Sequence, residues 1–207
     1  MEMSLLLSFF GAAVLLTLMP GPDNLFVLAQ SISQNKQAGI ATSLGLCSGL
    51  LVHITAAAVG ISALLYQSSL AFSIVKYLGA AYLLYMAYQA FRERGATSTI
   101  NNQQSRSYSS LYRKGIVMNI LNPKVSLFFL ALLPQFIDQN AGYPALQMVL
   151  LGGIFIIQAL LIFSGISLFA GKLSTIVSRN EKASRRINLL KGTLLAVIGI
   201  QIAFSEK

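Results

Sequence analysis

The sequence is poor in charge and in the side chains that bind metals. Its 207 residues include six acidic residues, one cysteine (Cys47), one histidine (His53) and no tryptophan. A lone cysteine and a lone histidine provide neither an intrachain disulfide nor a Cys/His metal cluster, so we expect no metal site and no cofactor. Charged residues make up 10% of the chain and hydrophobic residues 55%, whereas a soluble domain carries about 25% charge. This composition indicates an integral membrane protein.

Six apolar stretches are long enough to cross a membrane as helices. We expect them near residues 4–33, 38–65, 70–91, 115–137, 145–171 and 187–204. The polar segment 92–114 is rich in Ser, Asn, Gln and Arg and is typical of a flexible linker. The predicted fold is therefore all-α, with one transmembrane domain over residues 1–207. The linker divides that domain into a first repeat, 1–91, and a second, 115–207.

The formal net charge of +9 comes from basic residues in short loops, which is typical of membrane orientation rather than of nucleic-acid binding. Eleven lysines and arginines lie in the loops 34–37, 92–114 and 172–186, whereas the other loops and the two tails hold only Lys207. Positively charged loops stay in the cytoplasm. We therefore expect these three loops inside and both termini outside, in a bilayer-embedded chain that binds no nucleic acid.

Two proline-containing breaks interrupt the first and fourth apolar stretches. The first is Pro20-Gly21-Pro22, followed by Asp23 and Asn24; the second is Asn122-Pro123, preceded by Asn119 and followed by Lys124. Proline cannot continue a helix, and freed backbone groups at membrane depth need protein partners or a polar cavity. Paired breaks in two halves of a hydrophobic chain mark a transporter binding site. The alternative is that each break is a kink that only packs against its neighbours.

With both termini outside, the two halves cross the membrane in opposite directions. They are expected to be inverted three-helix repeats with the binding site between them. Placing Pro20 on Pro123 gives an offset of 103, at which the break and the apolar run of each half correspond, with weak residue identity. Slightly further on, the polar turn Gln34-Asn35 corresponds to Gln139-Asn140.

Asp23 is the only acidic residue expected at membrane depth. A buried carboxyl group there can exchange a proton or bind a substrate ammonium group. Asp is also a preferred N-cap, so a purely structural role at the start of a half-helix is the alternative. These two readings are compatible.

Each of the other polar residues near the breaks has two possible roles. The amides of Asn24, Asn119 and Asn122 can bind a zwitterion or satisfy freed backbone groups. Lys124 can meet Asp23 or a substrate carboxylate, or extend to the cytoplasmic interface.

Away from the breaks, three accessory residues and one helix contact are expected. Lys76, with Tyr82 in its aromatic surroundings, lies in the third stretch, and His53 in the second is either a packing residue or a proton relay. Gly45 and Gly49 predict a close helix contact.

Several of these segments resemble the LysE/RhtB family of bacterial amino-acid exporters. The resemblance rests on Pro20-Gly21-Pro22-Asp23-Asn24, on Lys76-Tyr77-Leu78-Gly79-Ala80-Ala81-Tyr82-Leu83, and on the segment 115–136 with Leu121-Asn122-Pro123-Lys124 and Leu133-Pro134-Gln135-Phe136. It implies a transporter rather than an enzyme, exporting amino acids or their derivatives across the bacterial inner membrane by proton antiport. Expected intramembrane charges are one acid and three lysines, which favours a zwitterionic substrate of the homoserine, threonine or leucine type over a cationic one.

Other functions compete with amino-acid export. A metal exporter on the same scaffold would need thiolates or imidazoles, and a membrane thiol-disulfide carrier would need a cysteine pair. An intramembrane hydrolase would need a nucleophile with a base or paired acids, and neither is apparent. An uncoupled channel would keep Asp23 and both breaks. The sequence leaves open whether the chain forms a homodimer.

Overall fold

A computed structural model describes residues 2–61, 69–92, 106–138 and 141–170, together with isolated positions between 189 and 204. This part of the chain contains no strand and seven α-helices, which are α1 Met3–Leu18, α2 Pro22–Ser33, α3 Lys36–Ala56, α4 Ser69–Arg92, α5 Tyr108–Ile120, α6 Pro123–Leu127 and α7 Pro144–Leu168. A π turn, Ala57–Ile61, extends α3; the π turn Phe128–Leu132 and the 3-10 turn Leu133–Phe136 extend α6. The sixth expected helix, 187–204, lies outside the described ranges.

Both expected breaks are present as bends between helices. The α1–α2 pair bends by 54°, and Tyr108–Ile120 bends by 49° against Pro123–Phe136. Among the described residues, Lys36–Gly60 and Pro144–Leu168 are long and apolar enough to cross a membrane unaided, and each bent pair adds one span if it crosses as a unit. The six-helix repeat plan remains a prediction.

The helix α5 begins earlier than the sequence suggested. The expected linker extended to residue 114, but α5 starts at Tyr108, where the Ser107 side chain accepts a hydrogen bond from Ser110 N. A Ser N-cap of this kind supplies one of the acceptors that the first turn of a helix needs. Contacts outside the helix also hold this end: Tyr112 Oη lies 2.9 Å from Ser48 Oγ on α3. The Ser- and Arg-rich composition of the segment concealed both features.

The two bent pairs run antiparallel to each other. At one end, the Phe9 ring near the start of α1 lies 5.5 Å from the Phe136 ring at the end of the second pair. At the other end, the Gln34 side chain after α2 accepts a bond from Arg106 N and donates one to Arg106 O, just before α5. The two breaks consequently lie at a similar depth and face each other.

Glycines bring α3 into close contact with α5. A Cβ at Gly49 would lie 2.8 Å from Asn119 Cβ, and one at Gly115 would lie 2.6 Å from Thr42 O, so neither position has room for a side chain. The expected small-residue contact at Gly45 and Gly49 is thereby confirmed, since a Cβ at Gly45 would also collide with the α5 backbone. This packing holds Asn119, which precedes the second break, against α3.

The helices α3 and α7 also run antiparallel. Gly39 near the start of α3 packs on Ser167 near the end of α7, and Ile54 near the end of α3 packs on Gly152. Between them, the rings of Phe128, Phe129 and Phe155 contact one another with centroids 5.0–5.5 Å apart. This aromatic cluster forms the core on the side of the breaks where α1 begins.

Candidate functional site

Polar side chains satisfy the backbone groups freed at the first break. The α-helix α1 ends at Leu18, which leaves carbonyl groups of its last turn without helical partners. Lys124 Nζ donates to Leu16 O at 3.1 Å and to Met19 O at 3.2 Å, and Asn24 Nδ2 donates to Thr17 O at 2.8 Å. Lys124 comes from the second break and Asn24 from the first, so residues of both breaks stabilise the end of α1.

The second break is closed by local bonds and by His53. Asn122 Oδ1 accepts from Lys124 N at 3.1 Å and caps α6, while Asn122 N donates to Asn119 O at 2.9 Å. His53 Nε2 lies 3.1 Å from the same Asn119 carbonyl. Because a carbonyl oxygen only accepts, His53 donates this bond through Nε2. The histidine therefore ties α3 to the end of α5.

The structural correspondence between the breaks differs from the sequence offset of 103. Pro22 is the first residue of α2 and Pro123 the first residue of α6, which gives an offset of 101. Proline is favoured at this position because the missing N–H is not needed there. With this register, Asp23 and Lys124 both stand second in their half-helices, so the two halves place opposite charges at equivalent positions.

The alternative reading of Asp23 as an N-cap is wrong. Gly21 is the N-cap of α2 and no side chain caps it, whereas Asp23 lies within the first turn. Its Oδ2 accepts a bond from Asn119 Nδ2 at 3.4 Å across the interface between the halves. Lys124 attracts the carboxylate electrostatically, and Asn122 lies near it although its amide is outside hydrogen-bond geometry. The Asp23 side chain is only 3% exposed.

Lys124 is as deeply buried as Asp23, with 4% of its surface exposed. It does not extend to the membrane interface. A cation near a helix N-terminus is electrostatically unfavourable, but its ammonium group reaches the carbonyl end of α1, where a cation is favoured. Gly21 makes room for it: a Cβ there would lie 3.3 Å from Lys124 Nζ.

A small cavity lies between the breaks. Its polar wall consists of Thr17, Asp23, Asn119 and Lys124. Its apolar wall consists of Leu16, Leu50, Val125, Phe155, Ala159 and Phe163. The volume of the cavity is about 20 Å³, which is room for about one water molecule and too small for an amino acid. Substrate entry would require the walls to separate.

Five buried polar side-chain atoms have no hydrogen-bond partner among the described residues. They are Asp23 Oδ1, Asn24 Oδ1, Asn119 Oδ1, Asn122 Nδ2 and Gln158 Oε1. Leaving such an atom unpaired costs about 1–3 kcal/mol. Asp23 and Asn119 belong to the cavity wall, Asn24 and Asn122 belong to the breaks, and Gln158 is bonded to Thr17 of the wall.

The partners of these side chains fix which atoms are donors and which are acceptors. Asn24 and Asn119 use their Nδ2 groups on a carbonyl and on a carboxylate, which leaves their oxygens. Gln158 Nε2 donates to Thr17 Oγ1 at 2.8 Å, and that hydroxyl donates its own proton to Ala13 O, which leaves Gln158 Oε1. The unpaired set thus contains four acceptors and one donor.

Several predicted site residues do not line the cavity. Pro22 and Pro123 are exposed and serve to begin their half-helices, and Pro20 is half-buried at the bend. His53 acts behind Asn119, with its ring stacked on Phe129 at 5.9 Å. Lys76 and Tyr82 lie in α4, and their side chains fall outside what the structure describes.

Sequence reasoning missed Thr17 and Gln158. Both are buried and bonded to each other across α1 and α7. Gln158 is one of two amides in the apolar stretch 145–171, and a polar residue in such a stretch is costly unless paired. The presence of a polar residue in an apolar stretch could therefore have marked Gln158 as a site residue. Its partner could not be inferred, because residues 141 positions apart meet only in the folded chain.

The sequence model of the LysE type translocator family matches residues 5–206. The chain belongs to this family. An uncharacterized membrane protein of Vibrio cholerae is 31% identical over the full length of both chains. The homoserine/homoserine lactone efflux protein of Salmonella typhimurium is 31% identical over 92% of each chain.

A third relative, an uncharacterized membrane protein of Bacillus subtilis, is 29% identical over 97% of this chain and 99% of its own. No solved structure matches the chain significantly. The protein is thus a LysE-type membrane translocator, and the resemblance seen in the sequence is confirmed.

Proposed function

We propose that this translocator exports zwitterionic amino acids with uncharged side chains, and that it does so by proton antiport across the bacterial inner membrane. The observation that carries the proposal is the pair of buried opposite charges, Asp23 and Lys124, on the wall of one cavity between two helix breaks. Both charges stand at equivalent positions of antiparallel half-helices. An α-amino acid carries the complementary pair of charged groups on one α-carbon.

The unpaired polar atoms fit the same substrate. An ammonium group has three N–H donors, and Asp23 Oδ1, Asn119 Oδ1 and the oxygens of Asn24 and Gln158 are acceptors without described partners. A carboxylate only accepts, and Asn122 Nδ2 is the one donor in the unpaired set. Lys124 would also bind the substrate carboxylate through its ammonium group.

Relatives support amino-acid export in general terms. The Salmonella relative is named for the efflux of homoserine and homoserine lactone. Homoserine is a neutral zwitterion and agrees with a site that has one charge of each sign. We therefore infer that homoserine is a suitable first substrate to test.

Proton coupling is assigned to Asp23. It is the one acidic side chain on the cavity wall, and an antiporter needs a group that proton and substrate occupy in turn. Substrate ammonium would bind the carboxylate on the cytoplasmic side, and a proton from outside would replace it after release. His53 contacts Asn119 O rather than Asp23, so its hydrogen-bond connection to Asp23 runs through Asn119.

The test is counterflow of radiolabelled homoserine in proteoliposomes. Homoserine, threonine and leucine on the opposite side should drive exchange, whereas lysine and glutamate should not, because each brings an unmatched charge.

An imposed pH gradient, acidic outside, should drive uphill transport by the wild type. Asp23→Asn keeps the size and an acceptor for Asn119, so it should fold, but it should not accumulate substrate in response to the pH gradient.

Each alternative gives a different result in the same vesicles. An uncoupled channel would equilibrate homoserine without responding to the pH gradient. Exchange of none of these amino acids, by protein that is folded and correctly inserted, would contradict the proposal. Transport of a soft metal ion in its place would support the metal exporter, although Cys47 and His53 are the only residues of their kind in the chain.

A further inference from the structure

One helix provides half of the residues in the apolar wall of the cavity. The cavity residues from α7 are Phe155, Ala159 and Phe163, which recur every four positions and so lie on one face of the helix. The polar residues of the wall, by contrast, come from α1, α2, α5 and α6. A substrate whose charged groups bind the polar wall would therefore direct its side chain toward α7.

The orientation of this face is fixed by contacts on both sides. Gln158 precedes Ala159 and donates to Thr17 Oγ1 on α1 at 2.8 Å. The Phe155 ring packs on Phe128 at 5.0 Å and on Phe129 at 5.2 Å. These contacts prevent α7 from rotating freely about its axis and keep residue 159 directed at the cavity.

Ala159 is the small residue between two large rings. It is 1% exposed, and the rings of Phe155 and Phe163 lie one turn before and one turn after it. In a cavity of about 20 Å³, the volume at this position limits how far a substrate side chain can extend. The lining of Leu50, Val125 and these α7 residues has no charge to neutralise a charged substrate side chain.

We propose that Ala159 and Phe163 on α7 determine the size of the substrate side chain, with Ala159 forming the floor of an uncharged side-chain pocket. This inference rests on the proposed export function and refines it. Leucine, with a branched apolar side chain, would press on this floor, whereas alanine would not reach it. Discrimination by one methylene in an apolar pocket is about tenfold or more.

The test measures the ratio of leucine to alanine counterflow in proteoliposomes. Ala159→Leu fills the floor and should lower the leucine-to-alanine ratio by about tenfold or more. Phe163→Ala enlarges the pocket and should raise the ratio. Ala145→Leu is the matched control, since Ala145 is an exposed residue of the same helix, and it should leave the ratio unchanged.

A ratio within one preparation is independent of how much protein folds. If Ala159→Leu does not insert, Ala159→Val and Phe163→Leu test the same two directions with smaller changes. Unchanged ratios in variants that still transport alanine would overturn the assignment to α7 and leave the export function intact. Failure of the wild type to exchange any amino acid would instead overturn the proposed function, and this inference with it.

Discussion

Lys124 stands where the helix dipole disfavours it, and its contacts explain why it is tolerated. The residue is second in α6, near a helix N-terminus, yet its ammonium group binds two carbonyls at the end of α1. The sequence predicted that Lys124 lies at the second break and offered two readings of its side chain. It could not decide between them, because the deciding carbonyls are more than 100 residues away.

Removing this charge should affect stability and transport together. In Lys124→Met, Leu16 O and Met19 O lose hydrogen bonds to a charged donor, each worth about 1.5–3 kcal/mol. We expect a lower melting temperature in detergent and a loss of homoserine counterflow. Lys36→Met at the exposed start of α3 is the control and should change neither. A Lys124→Met protein with wild-type stability would contradict the bridging role.

Asp23 could be selected as a site residue from the sequence alone. A single intramembrane carboxylate in the sequence was enough to select it as a site residue. Its partner Asn119 was also selected, from its position beside the other break, and the two are joined at 3.4 Å. The N-cap reading was wrong because Gly21, not Asp23, precedes the first helical residue of α2. A Pro-Asp pair places Asp inside the first turn once proline takes the first position.

At the scale of elements, the breaks were predictable and their register was not. Proline and glycine are local signals, and both bends follow from them. The offset between the halves depends on which proline begins each half-helix, and the first break contains two. Close packing of α3 on α5 followed from Gly45 and Gly49, but the residues that they meet, Tyr112 and Asn119, came only from the structure.

Gly49 should therefore influence the site without lining it. In Gly49→Ala, the new Cβ would meet Asn119 Cβ at 2.8 Å and Ile116 O at 2.9 Å. Overpacking of this kind costs about 1–3 kcal/mol, and it would push Asn119 away from its present position. We expect reduced thermal stability and weaker homoserine counterflow.

Gly60→Ala provides the comparison for Gly49→Ala. It is a residue of the same span, and a Cβ there meets no described atom within 4 Å. Its stability and counterflow should stay near wild-type values. Equal effects of the two substitutions would show that loss of glycine, rather than contact with α5, is responsible.

At the scale of the whole molecule, hydropathy and loop charge predicted a helical membrane protein, and the resemblance of the motifs predicted its family. The antiparallel course of the two bent pairs agrees with the expected inversion of the halves. Contacts between Gln34 and Arg106 place the loop after α2 and the start of α5 on one side, as the charge distribution predicted. Which side this is remains a prediction, because helix contacts define relative and not absolute orientation.

Cysteine labelling in intact cells tests that orientation. In a Cys47→Ser background, Ser109→Cys at the exposed start of α5 should resist a membrane-impermeant thiol reagent, and Ala141→Cys in the opposite turn should react. Both residues are exposed, so accessibility of the side chain itself is matched. The reverse pattern would place both termini in the cytoplasm and contradict the loop-charge argument.

The central claim is that residues of both breaks form one amino-acid site. The most direct measurement is protection of single cysteines placed at Asn24 and Asn122, one from each break, in proteoliposomes of the Cys47→Ser protein. Homoserine should slow thiol labelling at both positions in a concentration-dependent way and leave Ala141→Cys unaffected. If labelling at neither position responds to homoserine while the variants still transport it, the breaks are kinks and the site lies elsewhere.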